Sequence, residues 1–213
     1  MERRLFILDP FEILDSETWN YTVKFHGHVC PGLSIGYKAA VAGMEWLNSH
    51  RAEDEEIVAI IETNACGADA VQCLTGCTFG KGNLIFKDHG KQVYTFVSRS
   101  TGKGTRMALK PEVLELDDRH LQLIDLMRTD EASEEETEEF RVIHRNKSLA
   151  ILEKEPHELF DIREVIITLP PKAKIERSET CNRCGETTMA SKLESVGDKK
   201  ICPDCASFMD GCD

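Results

Sequence analysis

The sequence predicts a domain built from both helices and β-strands, followed by a small domain rich in cysteine. Three observations lead to this division of the chain. A helical pattern of apolar residues follows Pro31, a continuous apolar run typical of a buried strand spans residues 57–61, and two CxxC pairs lie late in the sequence. With 213 residues, the chain is long enough for one ordinary domain and a small appendage.

The helix after Pro31 is indicated by apolar residues spaced four, three, four and three positions apart. These are Leu33, Tyr37, Ala40, Met44 and Leu47. Side chains at this spacing share one face of a helix. A stripe of small residues, Gly36, Ala40 and Gly43, predicts that another backbone packs closely against the same helix.

The middle of the first domain is rich in predicted strands. We expect the buried strand to deliver the chain to Cys66, followed by a short helix over residues 68–75. Strands over residues 83–87, 92–98 and 105–109 are separated by glycine-containing turns, which predicts a meander.

The first domain is expected to end with two helices and a strand. The helices span residues 119–127 and 134–152, and the strand spans residues 162–169. The prolines that follow mark a linker, so we predict a first domain over residues 1–170 and a second over residues 171–213.

The net charge of −12 is unevenly distributed. Residues 81–110 contain seven bases and one acid, a net of +6, whereas residues 111–165 contain 17 acids and seven bases, a net of −10. These two blocks are able to attract each other, within one chain or between two copies.

The late cysteines carry the strongest sequence signal. Cys181 and Cys184 form one CxxC pair, and Cys202 and Cys205 form another, with 17 residues between the pairs. This spacing lets two tight knuckles direct four thiolates at one tetrahedral zinc ion. About 45 residues with few large apolar side chains need metal or disulfides to fold, so we predict a structural zinc, with Cys212 outside the site.

A second metal site is predicted early in the chain. If residues 26–30 are extended, His26, His28 and Cys30 point to one side and converge. Imidazole and thiolate donors suit Zn²⁺ or another transition metal. Cys66 is the best additional ligand, while burial as ordinary core residues is the alternative.

Two further residues are weaker candidates for this early site. Asp69 and Cys77 each lie within reach as a ligand, and we also consider Cys30 and Cys77 as reactive thiolates in catalysis. Cys73 is interpreted as a small apolar residue that packs on its helix.

A nucleotide-binding P-loop is excluded by spacing. Gly76 and Gly80 enclose three residues where a P-loop needs four, and Gly82 follows Lys81 where a P-loop needs Ser or Thr.

The amino terminus indicates where the protein works. Its apolar run ends at Asp9 after four residues, too short for a secretion signal, and no later run is long enough to span a membrane. We therefore expect a cytoplasmic protein whose thiols stay reduced and bind metal.

Four segments carry a resemblance to a known family. They are FHGHVCPGLSIGY (25–37), ETNACGADAVQ (62–72), TGCTFGKGNL (75–84) and STGKG (100–104). In this order they resemble the E-subunit family of formylmethanofuran dehydrogenase over about residues 20–110, and the late CxxC pairs are similar to a zinc finger that some members carry.

The resemblance implies an α+β fold with a thioredoxin-like core and a mixed β-sheet, a metal-containing active site, a treble-clef zinc finger and dimeric assembly. It does not assign a reaction. One class of function is a metal-dependent catalyst or accessory protein in which His26, His28 and Cys66 hold the ion and Cys30 or Cys77 supplies a ligand or thiolate.

The other class is a regulatory protein whose metal sites are structural and whose finger binds a partner. Residues 170–213 contain seven bases and eight acids, so we favour a protein partner over a nucleic acid. We also expect a homodimer that uses apolar residues of segment 119–152.

Overall fold

The computed structural model describes residues 10–208, and the chain divides into two compact units, Met1–Lys172 and Ala173–Asp213. The expectations for the amino terminus and for Cys212 concern residues outside this described range. Each unit has a core of its own.

The first unit mixes helices and strands along the chain. Its helices are α1 (Pro10–Asp15), α2 (Glu17–His26), α3 (Pro31–Leu47), α4 (Gly67–Thr75), α5 (Asp118–Thr129), α6 (Glu134–Glu153) and the short α7 (Pro156–Leu159). Its strands are β1 (Ile57–Ile61), β2 (Leu84–Phe86), β3 (Val93–Ser98), β4 (Lys103–Leu109) and β5 (Phe160–Ile166). A 3₁₀ turn, Pro111–Leu114, follows β4.

The five strands form one mixed sheet in the order β2-β1-β3-β4-β5. The β1–β2 pair is parallel, and the remaining pairs are antiparallel. The predicted α+β fold class, with a mixed sheet flanked by helices, is therefore confirmed.

The predicted meander is wrong at its first strand, because β2 pairs with β1 and not with β3. The cause is the buried side chain of Asn83, whose amide Nδ2 donates to the carbonyl oxygens of Asp54 and Ile57, 3.1 and 3.0 Å away. Its own carbonyl accepts from the N–H of Ala59. These bonds hold the start of β2 against the outer edge of β1.

The helix α3 is the centre of the first unit, and the predicted close packing against its small residues is confirmed. A Cβ atom on Gly36 would overlap the backbone of Gly67 in α4, and one on Gly43 would overlap the ring of Phe96 in β3. Larger residues at these positions would separate α3 from both neighbours, so the stripe sets the distances between layers.

The apolar core lies between α3 and the sheet. Ile35, Tyr94, Phe96 and Leu159 are fully buried there, and side chains of this size contribute about 2 kcal/mol each when removed from water. This core gives the first unit a source of stability that does not depend on metal.

The acidic start of α6 follows from helix electrostatics. Ser133 caps the helix, its hydroxyl accepting from the N–H of Glu136, while the Glu136 carboxylate accepts from the N–H of Ser133. Acids in the first turn, Glu134 and Glu135 among them, favour the positive end of the helix dipole.

The second unit consists of two short hairpins and a helix. The elements are β6 (Ser178–Thr180), β7 (Thr187–Met189), the 3₁₀ turn Ala190–Lys192, β8 (Glu194–Val196), β9 (Lys199–Ile201) and α8 (Pro203–Ser207). Its buried cluster contains Ile201 and three cysteines. So small an apolar core does not hold about 40 residues together without further bonds.

A search of residues 10–208 for a helix long and apolar enough to cross a membrane finds none.

Candidate functional site: two clusters of metal-binding residues

The core cluster consists of His26, His28, Cys30 and Cys66, whose ligand atoms all lie within 4.8 Å of one another. The sequence prediction that these residues converge thus agrees with the structure, but the extended segment proposed as the cause is wrong. His26 is the last residue of α2, and Gly27 ends that helix in the left-handed conformation with φ of 100°.

The left-handed turn at Gly27 brings His28 back beside His26. The centres of the two imidazole rings are 4.5 Å apart, with 37° between their planes. Cys30 then caps the amino end of α3, where its Sγ accepts from the N–H of Leu33 at 3.4 Å. A helix end, a glycine turn and a helix start therefore place three of the four donors.

Cys66 reaches the cluster through the packing of α4 on α3. Strand β1 ends at Ile61, and Cys66 occupies the N-cap of α4. A Cβ atom on Gly32 would lie 3.2 Å from the Cβ of Cys66, so a glycine at position 32 leaves room for this approach. On the far side of α4, a Cβ on Gly67 would overlap the hydroxyl of Tyr94.

The donor geometry fits a transition-metal ion. The Nε2 atom of His26 lies 3.7 Å from the Sγ of Cys30. Tetrahedral zinc with ordinary Zn–N and Zn–S bonds separates nitrogen and sulfur by about 3.6 Å. Cys30 is buried and His28 is exposed, so the cluster opens to solvent at His28.

Burial dominates the acid–base behaviour of Cys30. Loss of solvent raises the pKa of its thiol to about 11, although the N–H of Leu33 at the start of α3 acts in the opposite direction. The neighbouring thiol of Cys66 raises it further. Binding of a cation to this thiol therefore requires release of a proton.

Asp69 lies behind the cluster and contacts His26. Its Oδ2 atom is 2.8 Å from the Nδ1 of His26, whose side chain is 10% exposed. The carboxylate thus binds the ring nitrogen that faces away from Cys30, in the arrangement that orients histidine ligands in many metal sites. The sequence suggested Asp69 as a ligand itself, and the structure places it one step further out.

The structure does not bring Cys77 to the cluster. Its thiol is fully buried and lies 3.4 Å from the carbonyl oxygen of Ile57, with burial raising its pKa. We therefore omit Cys77 from the proposed site. Cys73 is also buried, on α4, and burial raises the pKa of its thiol to about 11.

A pair of histidines near the cluster had no sequence signal. The Nε2 of His120 in α5 lies 3.1 Å from the Nδ1 of His144 in α6, and the ring of Phe140 stacks on His144. Burial lowers the pKa of His144, and the charges of His120 and His28 lower it further. Because these histidines are 24 residues apart on different helices, no spacing rule joins them.

The finger cluster consists of Cys181, Cys184, Cys202 and Cys205, whose sulfur atoms also lie within 4.8 Å of one another. The Sγ atoms of Cys184 and Cys202 are 3.9 Å apart. A zinc ion with four Zn–S bonds of about 2.3 Å separates its sulfurs by about 3.8 Å. The four thiols therefore fit one tetrahedral ion.

The protonation of these cysteines also favours a cation. Backbone N–H groups, including those of Cys184 and Cys202, donate to the sulfur of Cys181 and lower its pKa to about 6. Burial and the neighbouring sulfurs raise the pKa of Cys205 to about 12. Four adjacent thiolates repel one another, so they ionise together when a cation compensates their charge.

The sequence and the fold match known proteins. A family model described as "FmdE, Molybdenum formylmethanofuran dehydrogenase operon" matches residues 25–161, which include the core cluster. The chain belongs to the FmdE family, as the four sequence segments predicted.

Two relatives are informative. A crystal structure of a tungsten formylmethanofuran dehydrogenase FmdE-like protein from Syntrophus aciditrophicus shares 26% sequence identity, with a TM-score of 0.57, covering 92% of this chain and 95% of that one. A probable S-adenosyl-L-methionine-binding protein from Archaeoglobus fulgidus is 32% identical over 190 residues. That alignment covers 86% of this chain and 50% of the relative, so the chain spans about half of that protein.

Proposed function

We propose that this chain is a metal-binding accessory protein of the FmdE family whose core cluster is a metal-dependent active site. The ligands are His26, His28, Cys30 and Cys66, and zinc is the first choice of ion. The observation that carries the proposal is the unequal exposure of the donors, with buried Cys30 at one side and exposed His28 at the other.

This exposure favours an active site because structural zinc sites are closed, whereas catalytic sites keep a position accessible to substrate. A divalent ion in such a site supplies Lewis-acid polarisation of a substrate oxygen. The side chains would orient the ion from the buried side, and substrate would approach past His28.

The finger cluster is proposed to bind one structural zinc ion and to form a docking module. The order of a cysteine knuckle, a hairpin and a helix that carries the second cysteine pair supports a treble-clef zinc finger. The nearly balanced charge of residues 170–213 supports a protein partner over a nucleic acid.

Access of small anions tests the active-site proposal. The full chain is loaded with Co²⁺, whose visible absorption reports on its ligands, and is then titrated with azide. We expect azide to change the absorption of the mixed nitrogen and sulfur site and to leave the absorption of the four-thiolate site unchanged. The variant Cys184→Ser isolates the first signal, and the variant His28→Ala removes it.

An unchanged spectrum at high azide, with both sites filled, would favour the second class of function. In that class the chain is a non-catalytic regulatory or interaction protein, and both ions stabilise structure. The exposed position of Cys184 in the finger cluster gives this class its own support, because a partner is able to reach that site.

A second candidate function is binding of S-adenosylmethionine, suggested by the name of the Archaeoglobus fulgidus relative. The alignment with that protein covers 86% of this chain, so a site in the shared half would be present here. Equilibrium dialysis with labelled S-adenosylmethionine tests this candidate. Absence of binding at millimolar concentration would assign the activity to the other half of the relative.

A further inference from the structure

A line of side chains leads away from the core cluster behind His26. The Nδ1 of His26 is 2.8 Å from Oδ2 of Asp69, and Oδ1 of Asp69 is 3.5 Å from Nε2 of Gln72. The Oε1 of Gln72 is in turn 3.4 Å from the backbone nitrogen of Phe79. Three consecutive hydrogen bonds thus join the cluster to the glycine-rich loop 76–82.

The direction of each hydrogen bond follows from the groups that form it. A carboxylate accepts and a backbone N–H donates, so the amide of Gln72 must donate to Asp69 and accept from Phe79. The same carboxylate accepts from the Nδ1–H of His26. This tautomer leaves the lone pair of Nε2 directed at the cluster, where the sulfur of Cys30 lies 3.7 Å away.

The loop 76–82 has two sides that are held differently. On one side, the N–H of Thr78 donates to the buried side chain of Asn83, and the ammonium of Lys81 donates to the carbonyl oxygen of Ala52. On the other side, the N–H of Phe79 donates to Gln72, while the Phe79 side chain itself is 80% exposed. Gln72 therefore connects this exposed part of the loop to the cluster.

We propose that Asp69 and Gln72 are positioning residues that couple occupation of the core cluster to the order of loop 76–82. This inference rests on the proposed function, because it requires that His26 binds an ion. An ion that fixes the ring of His26 also fixes Asp69, then Gln72, and then the N–H of Phe79. Coupling of this kind is reciprocal, so an ordered loop also strengthens metal binding.

The first test measures the affinity of the core cluster for Zn²⁺ by competition with a chelator, in the full chain. Asp69→Ala is expected to weaken binding by about 10- to 100-fold, the usual effect of removing a carboxylate behind a histidine ligand. Asp69→Asn is expected to weaken it less, because the amide oxygen still accepts from Nδ1–H. Asp125→Asn removes the same charge from an exposed pair with Arg128 and serves as the matched control.

The second test follows hydrogen exchange in loop 76–82 with and without Zn²⁺. In the wild-type chain, zinc is expected to slow exchange at Phe79. Gln72→Met keeps the length of the side chain and removes both hydrogen bonds, so it is expected to abolish the zinc-dependent change. Gln122→Ala, which alters an exposed glutamine bonded to Arg119, should retain it.

The outcomes separate this inference from the proposed function. A wild-type chain that takes up no ion beyond the one in the finger overturns the proposed function. An ion at the core cluster with equal affinity in Asp69→Ala and Asp125→Asn overturns the positioning role alone. Loop exchange that is the same in the zinc-bound and zinc-free wild type overturns the coupling.

Discussion

The two clusters contain the same number of donors but are assembled in different ways. The finger cluster uses four sulfurs from two CxxC pairs, and its unit has one buried aliphatic side chain, Ile201, among the cysteines. The core cluster uses nitrogen and sulfur at the ends of α2, α3 and α4, next to a large apolar core. The comparison indicates that metal maintains the fold of the finger, whereas the fold of the first unit maintains its metal site.

The largest effect is therefore expected from Cys184→Ser. This change should remove about one zinc ion per chain and unfold the second unit, because metal binding supplies about 10–16 kcal/mol in structural zinc sites. The first unit should remain folded on its own core. Metal analysis, together with NMR or hydrogen exchange of residues 173–208, measures both effects.

The matched control for that change is Cys73→Ala, which alters a buried cysteine of α4 outside both clusters. It should retain the full metal content. A chain with Cys184→Ser that keeps all its zinc would show that the finger cluster is assigned incorrectly.

A ligand change in the core cluster should have the opposite signature. His28→Ala, at the exposed side of the cluster, is expected to lower the metal content by about one ion and to leave the fold of both units intact. Metal analysis and far-UV circular dichroism measure the two quantities. If His28→Ala and Cys66→Ala both retain two ions, the core site is elsewhere.

The stability of the first unit should depend on internal pairs that no metal replaces. Glu62 is mostly buried and its carboxylate accepts from Arg106 at 2.9 Å and from His89 at 3.0 Å. Burial acts to raise the pKa of Glu62, but these two bonds outweigh it and the pKa is lowered. Glu62→Gln is therefore expected to destabilise the unit by about 2 kcal/mol near pH 7.

The pH dependence of that loss has a defined sign. A carboxyl group with a lowered pKa in the folded state stabilises the fold above its unfolded pKa, and this contribution disappears as the pH falls through the folded value. The difference between wild type and Glu62→Gln should therefore be complete near pH 6 and shrink below about pH 4. Denaturant unfolding followed by tryptophan fluorescence reports on the first unit, which contains both tryptophans, and Glu138→Gln is the exposed control.

The smallest expected effect concerns assembly. We propose a homodimer formed partly by α5 and α6, where Leu121 and Val142 are about half exposed. Attraction between the basic and acidic blocks would add to this contact, so high salt should weaken it. Light scattering should give about twice the chain mass of 24.0 kDa at low salt and a lower value for Leu121→Lys, whereas Ile175→Lys serves as an exposed control. A mass near 24.0 kDa at every salt concentration would reject the dimer.

The parts of the fold that depend on local sequence could be predicted. The apolar spacing after Pro31 located α3, and the run of residues 57–61 located β1. The order of strands could not be predicted in the same way, because the partner of β2 is set by the buried amide of Asn83.

The candidate site shows the same difference between local and long-range information. The spacing of CxxC pairs was sufficient to group the four finger cysteines. The grouping of His26, His28, Cys30 and Cys66 also agreed with the sequence reasoning, yet α2 and its end at Gly27 were not anticipated. The roles of Asp69, Gln72 and His144 depend on contacts between elements, so sequence spacing had no means to assign them.

The comparison between the two clusters is tested most directly by the rate at which the full chain releases zinc to a chromophoric chelator. We predict two phases of about one ion each: a fast phase that is lost in His28→Ala and a slow phase that is lost in Cys184→Ser. The exposed side of the core cluster accounts for the fast phase, and the closed sulfur tetrahedron accounts for the slow one. Release of a single ion per chain, or two phases that both persist in His28→Ala, would contradict this account.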